Sequence, residues 1–106
     1  MAISEIDVDA LAALIDRGDV RLIDVREPDE FATAHVPGAV PVPLATVPDS
    51  VDAFRGEGPT YVICHAGGRS LRACEFVAEH GIEAVNVAGG TGAWIASGRP
   101  TVSGSQ

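Results

Sequence analysis

The stretch Tyr61-Val62-Ile63-Cys64-His65-Ala66-Gly67-Gly68-Arg69-Ser70 decides the fold. Its first three residues form a short apolar run, the signature of a strand buried on both faces. Two adjacent glycines then mark a turn, and from Ser70 the apolar residues recur at helical spacing towards His80, with Gly81 as a stop. A thiol therefore stands where a strand gives way to a turn and a helix begins. Backbone N–H groups in such a turn point inward, and with the positive end of the helix dipole they favour a thiolate over a thiol. Cys64 is accordingly the candidate nucleophile, because a Cys in that setting has its pKa lowered.

Outward from this stretch the same alternation repeats. Asp7 is placed to cap a helix with apolar positions Val8, Leu11, Leu14 and Ile15, and Gly18 follows as its stop. Val20 to Val25 reads as a strand, and Pro28 suits the first turn of a short helix through Phe31. Ala39-Val40-Pro41-Val42 looks extended, but Pro41 cannot donate to a ladder, which puts it at a sheet edge. Residues 44–58 read as a loop with one helical turn around Ser50 to Phe54, Ile82 to Val87 as a strand, and Ala93 to Ser97 as a last helix. Strands alternating with helices predict an α/β domain with a parallel sheet.

With 106 residues, 46% of them hydrophobic and 21% charged, the chain fits one soluble domain. We expect that domain to occupy residues 1–101, with 102–106 a short flexible tail. The formal charge is -8, carried against seven Arg and no Lys. That balance argues against a nucleic-acid or membrane partner, and the lack of Lys excludes Schiff-base chemistry. Met1-Ala2-Ile3-Ser4-Glu5 has no cationic leader region, so the expected location is cytoplasmic, where two Cys point to thiol chemistry rather than a disulfide.

Four stretches in order give the chain a family resemblance: Leu22-Ile23-Asp24-Val25-Arg26-Glu27 with Glu30-Phe31; His35-Val36-Pro37-Gly38-Ala39; Cys64 to Ser70; and Gly89-Gly90 with Trp94 and Gly98. Together they resemble a single-domain rhodanese, a small sulfurtransferase. His65, Ala34 and Pro41 depart from side chains common in that family. The resemblance implies a five-stranded, mainly parallel sheet flanked by helices on both faces. It implies sulfur transfer through a persulfide on Cys64, from thiosulfate or a related persulfide donor to a thiophilic acceptor such as cyanide or a cellular thiol, with no cofactor. A protein sulfur donor or acceptor is a further expected partner. The alternative is a sulfur-relay or regulatory binding module with little thiosulfate turnover.

His65, Ala66, Gly67, Gly68, Arg69 and Ser70 would surround the sulfur, with both glycines needed for the turn's torsions. Arg69 either holds the sulfonate end of a donor or braces the loop carbonyls; His65 either adds charge at the mouth or points to solvent. The spacing Cys-x4-Arg is shorter than the Cys-x5-Arg of phosphatases and arsenate reductases, whose oxyanion needs a wider cradle. Asp24, Arg26, Glu30 and His35 are supporting candidates: Arg26 and Glu30 one turn apart should pair, and His35 should anchor its loop rather than bind metal, since no other ligand has metal-site spacing. Cys74, ten residues along the helix and so about 15 Å from Cys64, and Trp94 read as core.

Overall fold

The computed structural model describes residues 2–18 and 20–105. Met1 of the expected domain and Gln106 of the expected tail lie outside the described residues. Element order is β1 (Glu5–Ile6), α1 (Val8–Arg17), β2 (Leu22–Asp24), α2 (Pro28–Thr33), β3 (Val40–Pro41), β4 (Thr60–Ile63), α3 (Gly68–Ala78), β5 (Ala84–Val87) and α4 (Gly90–Ala96). The strands form one five-stranded sheet in the order β1-β5-β4-β2-β3, and every pairing is parallel. β4 is central and β3, with Pro41, is an edge.

Alternation along the strands assigns the two faces. Ile23 and Val62 join Ala73, Cys74 and Val77 of α3 in one buried cluster. Leu22, Ile63 and Val87 point the other way, against Val8 and Leu11 of α1, Phe31 of α2 and Trp94 of α4. One-residue alternation between two apolar layers is what a doubly covered parallel strand requires. Trp94 is 4% exposed and its indole N–H donates to the Pro100 carbonyl at 2.8 Å.

Local chemistry sets the boundaries. The Asp7 carboxylate accepts from the Ala10 N–H at 2.8 Å, which caps α1. Segment 44–58 holds two 3₁₀ turns, Leu44–Asp49 and Val51–Phe54, where the sequence suggested one helical turn; they bury Val47 and Phe54 over the α3 face. β1 has only two residues, too short to give a periodic signal. After α4 the chain returns along α2: Val102 bridges His35, and the Gly104 N–H donates to the Ala32 carbonyl at 2.8 Å. Among the described residues no helix is long and apolar enough to cross a membrane.

Candidate active site

Cys64 follows the last residue of the central strand, at the carboxyl end of the sheet, where open α/β sheets form ligand crevices. Its thiol is buried, with 1% of the residue exposed. The Gly67 N–H donates to Sγ at 3.1 Å and the Ser70 hydroxyl lies 3.3 Å from it. Burial by itself would push this thiol up. The Ser70 hydroxyl and the N–H groups of Ser70, Gly67 and Ala66 outweigh burial and bring it below its ordinary value. The thiolate is thus the favoured form more readily than in a free cysteine.

Gly67 makes the turn possible. It sits at φ +112° as the residue before α3, a region L side chains rarely adopt. Gly68 differs from expectation: it has no positive φ, nothing crowds its missing side chain, and it is the first residue of α3. The helix therefore starts two residues earlier than Ser70, because a left-handed residue at 67 lets the next residues enter helical geometry directly. Arg69 and Ser70 belong to its first turn, and Ser70 reaches Sγ from there.

Arg69 reaches across to α2. Its guanidinium forms a bidentate pair with Glu30, at 2.7 and 3.0 Å. This pair, with the Glu27 N–H also donating to Glu30, holds the Glu30 carboxyl down at about 2. Arg26 does not pair with Glu30, contrary to the one-turn spacing. It turns back to Asp24, donating to it through its own amide and through Nε and Nη2 at 2.9–3.1 Å, while Nη2 also donates to the Ala34 carbonyl. Asp24 is fully buried and Arg26 is 5% exposed. A buried carboxylate captures the nearest guanidinium, leaving Glu30 to the Arg that α3 brings across.

His35 is buried and stacked on Phe31, with Nδ1 2.7 Å from the Phe31 carbonyl. It follows α2, and its ring contacts tie it to that helix's last turn. His65 and Ala66 are exposed. The His65 ring lies over Gly92, where a Cβ would come within 3.3 Å of it. Cys74 packs in the core, and burial pushes its thiol up to about 12. Among the described residues no group of three or more His, Cys, Asp and Glu could hold a metal ion.

Three contributors were not foreseen. Asn86 on β5 is 1% exposed. Its amide nitrogen donates to Glu5 at 2.7 Å and to the Gly67 carbonyl at 3.1 Å, and its oxygen faces the Ser70 hydroxyl at 2.5 Å. Both amide protons are committed, so the oxygen must face Ser70. The single Ser70 proton is then shared between Asn86 and Sγ. When Cys64 is a thiol, its S–H can point at Ser70 while Ser70 donates to Asn86; when it is a thiolate, the hydroxyl can rotate to sulfur. A lone Asn in the apolar run Ala84-Val85-Asn86-Val87 was the available signal, since a buried amide needs partners. Gly90 is the second: at φ +59° a Cβ there would stand 2.3 Å from the Cys64 carbonyl. Thr91 is the third, donating its N–H to that carbonyl at 2.8 Å.

A family model described as Rhodanese-like domain matches residues 7–97. The chain is 35% identical over 101 residues to the putative sulfurtransferase YtwF of Bacillus subtilis, covering 94% of this chain and 98% of that protein. It is 33% identical over 102 residues to a sulfurtransferase of Allochromatium vinosum, covering 94% and 95%. The crystal structure of a rhodanese-like domain protein from Staphylococcus aureus superposes with a TM-score of 0.81 at 35% identity, over 87% of this chain and 91% of that one.

Proposed function

The chain belongs to the rhodanese-like domain family, and on that premise we propose that it is a sulfurtransferase carrying sulfane sulfur as a persulfide on Cys64. The Cys64 thiolate attacks the outer sulfur of thiosulfate or a related persulfide. A new S–S bond forms on Cys64, the donor's S–S bond breaks, and sulfite or the donor thiolate leaves with the electron pair. A thiophilic acceptor, cyanide or a cellular thiol, then takes the outer sulfur and returns Cys64 to the thiolate. No cofactor is needed, and a reducing cytoplasm would keep Cys64 free.

One observation carries this reading: donors from Gly67 and Ser70 converge on a buried sulfur at a helix start. Fixed donors aimed at a sulfur that is anionic before and after transfer act as an oxyanion hole does for oxygen. Asp24, Arg26, Glu30 and His35 act as positioning residues, holding α2 and, through Glu30, Arg69. The test is thiocyanate formation from thiosulfate and cyanide. Saturable turnover lost in Cys64→Ser supports the proposal; turnover retained in that variant would end it.

A sulfur-relay or regulatory module is the second reading. What favours it is the Arg69–Glu30 pair, which occupies the cation a dianionic donor would use. Sulfur uptake from a persulfidated protein with little thiosulfate turnover would select it.

A further inference from the structure

Beside the Cys64 loop lies a cavity of about 320 Å³ whose walls include Arg26, Asp29, Glu30, His65, Thr91 and Ile95. It adjoins the nucleophile through two of them: His65 is the next residue, and Thr91 donates its N–H to the Cys64 carbonyl. Thr91 is 1% exposed, yet its hydroxyl has no hydrogen-bond partner. That hydroxyl is closed to solvent as it stands, and buried hydroxyls are nearly always paired, so a donor in the cavity would complete one by turning the side chain towards it.

The charges in the walls point to the sign of that donor. Arg26 is committed to Asp24 and Ala34, and the nearby Arg69 to Glu30. The exposed Asp29 carboxylate has no cation paired with it among the described residues. Arg72 lines a different cavity, with Leu44, Val47, Pro48 and Phe76. The chain's charge of -8 adds a field that repels anions. Ile95, half exposed, gives the cavity one apolar wall. The volume is at the small end of ligand sites, which suits a few-carbon molecule rather than a macromolecule.

We infer that this cavity seats the carbon side of a small thiol bearing an ammonium group, bound as the persulfide that charges Cys64 or as the thiol that discharges it. The inference rests on Cys64 being the sulfur carrier. In charging, the Cys64 sulfur bonds to the outer sulfur of R–S–SH, the donor's S–S bond breaks, and RS⁻ leaves with the electron pair and takes up the persulfide proton. Discharge is the reverse. The ammonium faces Asp29 and donates to Thr91, and thiosulfate, a dianion, finds Arg26 and the nearby Arg69 already paired with carboxylates.

The experiment compares labelling of Cys64 by aminoethyl, hydroxyethyl and sulfonatoethyl methanethiosulfonate. Each transfers its sulfenyl group to the thiolate while the sulfinate leaves with the electron pair. Rates, read by intact mass, are divided by those for a free small thiol in the same buffer. We expect the normalised amino-to-sulfonato ratio to exceed one. Asp29→Asn should lower that ratio about two- to fivefold while the hydroxyethyl rate stays put, which shows that the loop is intact. Thr91→Val should slow the aminoethyl reagent, and Glu83→Gln, at the opposite end of the sheet, should leave the ratio unchanged. A ratio at or below one, or equal drops in Asp29→Asn and Glu83→Gln, would overturn the inference. Failure of Cys64 to take up sulfur from any donor would instead sink the carrier reading and leave these ratios as they are, so the two failures separate.

Discussion

Removing the Ser70 hydroxyl tests how the protein activates its sulfur. Ser70 is fully buried, and its oxygen is 3.3 Å from Cys64 Sγ, so Ser70→Ala deletes one donor while keeping the helix start. A hydrogen bond to a charged group contributes roughly 1.5–3 kcal/mol. A long bond to a large sulfur belongs at the lower end, and at about 1.36 kcal/mol per pKa unit this is a rise of about one unit. The backbone N–H groups of Ala66, Gly67 and Ser70 stay in place. The assay is the pH dependence of Cys64 alkylation by iodoacetamide, followed by intact mass. Cys74, buried and pushed up to about 12, stays silent across the range. The thiolate forms above the pKa, so the midpoint of the rate curve should move to higher pH in the variant. An unmoved or lowered midpoint would refute the role given to Ser70.

Further outcomes follow from other contacts. Glu30 is held at about 2 against an ordinary 4.5, so its pairing stabilises the fold fully above about pH 4.5 and is lost as pH falls through about 2. Both partners are 33% exposed, so Glu30→Gln should cost only about 1 kcal/mol at pH 7 in urea unfolding, shrinking to nothing near pH 2; a cost independent of pH would contradict the pairing. Gly90→Ala drives a Cβ to 2.3 Å from the Cys64 carbonyl at a positive φ, and should cost about 3 kcal/mol of stability; a loss below about 1 kcal/mol would show that the strand end yields freely. Cys74→Ala should lower stability by about 1 kcal/mol and leave sulfur transfer within a few-fold; loss equal to that of Cys64→Ser would mean that two thiols act.

The elements easiest to read were those whose own residues specify them. Asp7 and Gly18 bracket α1, Pro41 marks the edge strand, and Tyr61 to Arg69 announces the strand, turn and thiol. The fifth strand was legible only through the family resemblance, because Glu5–Ile6 is defined by pairing with β5 and not by any local pattern. Ion pairing failed for a related reason. Sequence spacing put Arg26 and Glu30 together, but burial of Asp24 and the approach of α3 are tertiary facts, and they exchanged the partners. Asn86, Gly90 and Thr91 matter to Cys64 because the sheet order places β5 beside β4, which no local window contains.

The most direct measurement is the intact mass of the reduced, desalted protein before and after brief exposure to thiosulfate and, separately, to a small persulfide, with Cys64→Ser alongside. The account predicts a gain of one sulfur atom on the wild type alone, discharged by cyanide. Sulfur gained equally by Cys64→Ser, or none gained by the wild type from either donor, would contradict Cys64 as the sulfur carrier.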